Sequence, residues 1–275
     1  MPNASSTGTK YHDSMLLART KATSYASPVS AKQAKQAKKT PEDYLREAMT
    51  AATRAERARA AKLGLASTEK LDPTTHAMLL RQLYLALFEG RRFREAHAIA
   101  RQAAEVGILS DVLLQDAARA ALAAGDLEDA LAHLREAVDK SPASRRAFHH
   151  WTLGSILFLA HRYDEAIAAL SRASRSSVGE RPLYRAHLAL ARIAGGEHIG
   201  NIQTTIDQLV ASPAGQGYGR FVLGHLAYAA GAWDVAAQYL QSFVERTREK
   251  PPATAVALEG EIRMARATLK KISTK

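Results

Sequence analysis

Apolar residues recur along this chain with a helical period, and the period restarts at regular intervals. From Phe148 to Ala173 the order is Leu153-Gly154, then Tyr163-Asp164-Glu165-Ala166, then Leu170 and Ala173. The same order appears upstream as Gly125-Asp126-Leu127-Glu128-Asp129-Ala130, Leu134, Ala137 and Pro142. It returns downstream as Leu223-Gly224, Gly231-Ala232-Trp233-Asp234, Ala236 and Leu240. Each stretch predicts two amphipathic helices separated by a turn, with small residues where the helices cross.

Taken in order, Thr40-Pro41-Glu42-Asp43 is a helix start, with a capping hydroxyl, a proline at the first helical position and two carboxylates at the positive end of the dipole. This predicts one N-terminal helix over 40–66, running to about Lys62 and stopping near Gly64. Repeating units follow at about 77–110, 111–144, 147–180 and 217–250. Ala96 to Ala130 and Ala103 to Ala137 are both separations of 34 residues. Segment 181–216 is degenerate: Tyr184, Leu188, Ala189 and Ala191 suit a first helix and Ile202, Ile206, Leu209 and Val210 a second, but Gly195-Gly196 is offset. Pro251-Pro252 ends the last unit. A closing helix over 252–273 carries Leu258, Ile262, Ala265, Leu269 and Ile272, a 4-3 spacing that suits a cap and also allows a helix-pair dimer.

A unit of 34 residues with these marks resembles the tetratricopeptide repeat. Gly or Ala at the eighth position (Ala118, Gly154, Gly224) and Ala at the twentieth (Ala96, Ala130, Ala166, Ala236) allow the close crossing, and Phe93, Leu127, Tyr163 and Trp233 fill the space beside the turn. The resemblance implies an all-α fold: a right-handed superhelical solenoid of about five helix–turn–helix repeats over 77–250, with a C-terminal capping helix. It also implies a binding scaffold without catalysis.

Composition narrows the class further. The 275 residues are 47% apolar, so a sizeable core can form, and alanine's abundance favours helix over sheet. No apolar run approaches the roughly 20 residues of a membrane span, and no secretory leader is evident. The absence of cysteine excludes disulfides and thiolate metal sites and fits a cytoplasmic location. The net charge of +11 is uneven: residues 1–40 hold seven Lys/Arg against one Asp, whereas the remainder holds 31 against 26. Segment 1–39 thus reads as a disordered basic tail containing one apolar island, Tyr11, Met15, Leu16 and Leu17, able to dock on a partner or on the chain's own groove.

Catalytic motifs are missing. No HExxH, Walker loop, GxGxxG or GxSxG occurs, and the histidines at 97, 133, 161, 187 and 225 lie singly along the sequence. His149 and His150 are adjacent and point to different sides of a helix. No catalytic residue, cofactor or metal is expected.

The family's groove is lined by positions 2, 5, 9 and 12 of each first helix. Here that implies Met78, Arg81, Leu85 and Phe88; Val112, Gln115, Arg119 and Leu122; Phe148, Trp151, Ser155 and Phe158; and Tyr218, Phe221, His225 and Tyr228. A one-residue slip at the insertion before 147 would instead put Trp151 in the core. Such a groove suits a protein or peptide partner with apolar anchors. The Lys/Asn/Arg clamp for chaperone carboxylate tails is absent, because Leu85, Asp116, Phe148 and Thr152 occupy its places beside Arg81. The alternative is a nucleic-acid-associated protein using the lysine tail and the Arg54–Lys62 helix on phosphates. Either a monomer or a homodimer fits the sequence.

Overall fold

The computed structural model describes residues 39–176 and 181–274, and every regular element among them is helical. The basic tail and its apolar island lie outside the described residues. The first departure from expectation is at the N-terminus. Segment 40–66 is two helices, α1 (Pro41–Thr50) and α2 (Arg54–Leu65), because a second start signal sits inside it. Thr40 forms a capping box with Asp43, and Thr53 forms another with Glu56 after Ala51 turns to extended backbone. The pair folds as a hairpin against the next helix, so the stack of hairpins begins near Pro41. Gly64 marks the contact: an added Cβ would lie 2.8 Å from Leu79 Cδ2 and 3.1 Å from Tyr44 Cβ.

Five further hairpins follow among the described residues: α3 (Pro73–Glu89) with α4 (Phe93–Glu105), α5 (Ser110–Ala124) with α6 (Leu127–Lys140), α7 (Ala143–Leu159) with α8 (Tyr163–Ser176), α9 (Arg181–Ala194) with α10 (Ile202–Val210), and α11 (Gly219–Ala229) with α12 (Trp233–Arg248). The turn inside each is the same device. Arg91, Gly125, His161, Gly196 and Gly231 all have positive φ, between 58° and 93°. The residue after each returns its N–H to the carbonyl five positions back, as in Arg92 to Leu87, Asp126 to Ala121 and Arg162 to Leu157, all at 2.9 Å. This is a Schellman closure, which satisfies carbonyls the helix end would otherwise leave bare.

Between the paired helices the crossing positions are fully packed. Ala96, Ala130, Ala166 and Ala236 are at most 1% exposed. A Cβ on Gly154 would lie 2.6 Å from Leu170 Cγ, and one on Gly224 2.5 Å from Leu240 Cγ. The buried apolar residues fall into three clusters spread along the stack rather than one centre, as expected where each hairpin packs mainly on its neighbours. The degenerate unit has a local cause. α10 is only nine residues and stops before Pro213, where a short 3-10 turn (Pro213–Gly215) leads into α11. No side chain fits at Gly215 or Gly219, whose Cβ would lie 2.3 Å from Leu209 O and 2.1 Å from Ala214 O.

The C-terminus departs as well. The closing helix breaks at Leu258 into α13 (Pro252–Ala257) and α14 (Glu259–Ile272). α14 packs on α11 and α12 as a cap, but α13 reaches back to α3. Ala253, Val256 and Ala257 pack against the cluster containing Leu83, Tyr84, Leu87 and Phe88. Arg91 pairs with Glu259, and a Cβ on Gly260 would meet Leu159 Cδ1 at 3.3 Å. The 4-3 stripe faces inward: Leu258, Ile262 and Leu269 pack on the chain's own core, and Ala265 is 0% exposed. Among the described residues no helix is long and apolar enough to cross a membrane.

Candidate functional site

The predicted groove residues are carried by the first helices α3, α5, α7 and α11, with Tyr218 at the N-cap of α11. A buried polar frame runs through them. Asp116 on α5 accepts from Arg81 Nε at 2.9 Å and from Arg119 Nη1 at 3.4 Å. Asp111, one and a half turns earlier, accepts from Arg145 Nε and Nη2 at 2.7 and 2.9 Å and lies 2.9 Å from His149 Nε2. Both carboxylates are 2% exposed, so each depends on its arginine partners for neutralisation. Hydrogen bonds from Arg145 and His149 hold the Asp111 carboxyl below its usual range despite burial, which acts the other way.

Further along, Tyr218 Oη donates to Glu261 Oε1 on α14 at 3.3 Å. Glu261 is 4% exposed, and burial pushes its carboxyl up to about 7. His187 and His225 lie nearby on α9 and α11. Each has an Nε2 without a hydrogen-bond partner, and burial pushes their imidazoles down to about 3 and about 4.

The predicted groove residues separate into two groups. Met78, Arg81, Leu85, Arg119, Trp151, Tyr218 and Tyr228 are half-buried, and Phe148 is 39% exposed. Phe88, Phe158, Phe221 and His225 belong to the packing, at 1%, 1%, 0% and 5%. Phe88 and Phe158 come at the last turn of α3 and α7, where the Schellman closure folds the second helix over them, and their rings meet Phe93 and Tyr163. Phe221 is wedged against Phe243 and His225. Truncating Phe158 or Phe221 would therefore test stability, at about 3–5 kcal/mol, rather than the groove. Trp151 falls between the two readings of its register. It stacks on Tyr184 and meets Tyr218 edge-on at 4.9 Å, while its indole N–H has no acceptor.

Two further residues were not visible as a pair in the sequence. His97 and His133 lie singly along the chain, but the stacking of α4 and α6 sets their Nε2 atoms 2.9 Å apart. A separation of 36 residues, close to one repeat, is the signal that could have found them. The proposed phosphate-binding stretch on α2 is partly committed within the fold. Arg57 pairs with Glu89 at 2.8 Å, and Arg54 Nη1 donates to the Glu89 carbonyl.

Among the described residues, the exposed and half-buried members of the predicted groove set are apolar or aromatic side chains together with Arg81 and Arg119.

Comparison with known proteins agrees with this construction. The family model for the tetratricopeptide repeat matches residues 121–193, from the end of α5 through α9. Among solved structures, the chain is similar to a TPR repeats protein from Bacteroides fragilis, at 13% identity and a TM-score of 0.37, over 85% of this chain and 98% of that one. No curated protein matches. Residues 121–193 are thus similar to the tetratricopeptide repeat, and the hairpins on both sides of them carry the same turn and the same crossing residues.

Proposed function

We propose that this protein is a non-enzymatic interaction scaffold that takes a partner peptide with apolar anchors on its inner face, at the side formed by Met78, Arg81, Arg119, Phe148 and Trp151. Tetratricopeptide repeats generally mediate protein–protein interaction, and the finer assignment rests on one observation. Phe148 stays exposed in the same register of α7 that Met78 occupies in α3, each the sixth residue of its helix. An exposed Phe148 and a half-buried Met78, taken with Arg81 and Arg119, suit a ligand that inserts an apolar group and carries a hydrogen-bond acceptor.

Selection from a random-peptide display library against the purified protein tests this. Peptides with apolar anchors are expected. Phe148→Ala or Arg81→Ala should weaken them about tenfold or more with little change in melting temperature. Selected peptides that bind Phe148→Ala and Arg81→Ala as tightly as the parent would overturn the assignment.

A further inference from the structure

On the outer side of the stack, three potential ligands converge that the groove does not use. His97 is carried by α4, and Asp129 and His133 by α6, where a spacing of four places them on one helix face. Their donor atoms lie within 4.8 Å of one another. His97 Nε2 is 2.9 Å from His133 Nε2, 3.3 Å from Asp129 Oδ2, and His133 Nε2 is 3.6 Å from Asp129 Oδ1.

We propose that His97, Asp129 and His133 form a binding site for a divalent first-row transition metal ion, with zinc as the best match.

The argument begins with the lone pairs. Two neutral imidazoles facing each other through the same nitrogen can share only one proton productively: two N–H groups clash and two lone pairs repel. The carboxylate beside them adds a negative charge and sits at the outer limit of hydrogen bonding to either ring. A dication satisfies all three at once. Zinc takes imidazole nitrogen at about 2.0–2.1 Å and carboxylate oxygen at about 2.0–2.2 Å, so tetrahedral coordination needs the two nitrogens about 3.3 Å apart. The present 2.9 Å requires a side-chain adjustment of a few tenths of an ångström and no backbone movement.

The frame is already fixed. The Asp129 N–H donates to Asp126 Oδ1 at 3.1 Å, so the ligand-bearing turn of α6 is held by its own cap. His133 is nearly buried, while Asp129 keeps a side-chain exposure of 38%, which leaves a way in for the ion and a fourth position for water or a partner's side chain. Nitrogen donors argue against magnesium and calcium, which prefer oxygen, and the absence of thiolate argues against a soft ion.

The test uses tag-free full-length protein stripped with a chelator. Titration with zinc by calorimetry, and with cobalt(II) by visible absorption, should show one equivalent bound and a cobalt spectrum of tetrahedral type. His97→Gln, His133→Gln and Asp129→Asn should each weaken binding about tenfold or more, at least the effect of losing an outer-shell partner. His161→Gln, an exposed histidine on a turn, should change nothing. Zinc should raise the melting temperature of the parent and of His161→Gln but not of His97→Gln. If His133→Gln fails to fold, the more exposed His97→Gln decides. No stoichiometric binding, or binding that survives His97→Gln, overturns the proposal; neither outcome bears on the groove, whose residues lie on other helices.

Discussion

Gly154 offers the sharpest test of the packing described above. Its replacement by alanine sets two effects of opposite sign against each other. Alanine is the better helix former, and within α7 that is worth up to about 1 kcal/mol in favour of the variant. The added methyl, however, would lie 2.6 Å from Leu170 Cγ, 2.9 Å from Cδ2 and 3.2 Å from the Leu170 backbone nitrogen. Leu170 is 0% exposed and its backbone is part of α8, so neither the side chain nor the helix can yield alone. Overpacking of this kind costs about 1–3 kcal/mol, and the backbone contact places Gly154 toward the upper part of that range. A net loss of about 1–2 kcal/mol is expected. In a folded unit of this size each kcal/mol moves the melting temperature by about 2–4 °C, so a fall of about 2–8 °C should appear by circular dichroism.

A double-mutant cycle isolates the cause. Leu170→Ala removes the obstructing side chain at its own cost of about 2–5 kcal/mol. In that background Gly154→Ala should become neutral or stabilising, leaving a coupling energy of the size found for residues in contact. A Gly154→Ala variant at least as stable as the parent, or an identical loss in both backgrounds, would refute the reasoning. Gly224 against Leu240 should repeat the result, with the added methyl 2.5 and 2.6 Å from that leucine's Cγ and Cδ2.

Three further outcomes are expected. His161 holds a left-handed turn conformation, φ 60°, that glycine fills elsewhere in the stack, so His161→Gly should stabilise by about 1 kcal/mol in thermal melts. Buried Glu261, raised to about 7, keeps a proton that the unfolded chain releases near its ordinary value of 4.5. Its contribution is therefore complete below about pH 4.5 and lost as pH rises through about 7, and the stability of Glu261→Gln relative to the parent should grow between about pH 5 and 8. His187 and His225, lowered to about 3 and about 4, act in the opposite direction: the unfolded chain takes up protons below about 6.5 that the fold excludes. Stability from both is lost as pH falls from about 6.5 toward 4, and a His187→Gln variant should show a shallower acid limb in urea titrations at stepped pH.

Much of the fold could be read from residue order because the repeat marks its own crossings and turns. Ala96, Ala130, Ala166 and Ala236 are conspicuous in sequence and fully buried in the structure for the same steric reason. The N-terminal break was legible too, in Thr53 and Glu56, but no Gly or Pro falls between residues 42 and 63 to draw attention to the box. The groove was harder. A register that places position 2 outward at Phe148 also places position 12 outward, yet Phe158 is covered, because the closing turn bends α8 across the end of α7. That is a three-dimensional effect with no mark in the residue order. The path of α13 to α3 has the same character: Arg91, just after α3, meets Glu259, just after α13, across 168 residues, and nothing in the residue order announces it.

That contact between α13 and α3 bears on how the molecule comes apart. An open array is a one-dimensional chain of couplings, and its terminal units fray first because each has a single neighbour. Here α3, in the second hairpin, touches the hairpin before it and also the far end of the polypeptide, with Arg91 and Glu259 tied across 168 residues. Opening the C-terminal end therefore also breaks a contact of the second hairpin, so the two lose their independence and unfolding becomes more nearly all-or-none. The same tie lengthens the mean sequence separation of contacts, which slows folding relative to an open stack of equal length. Cutting it with Glu259→Ala should lower hydrogen-exchange protection in α3 and α14 together, whereas an array with free ends would respond in α14 alone.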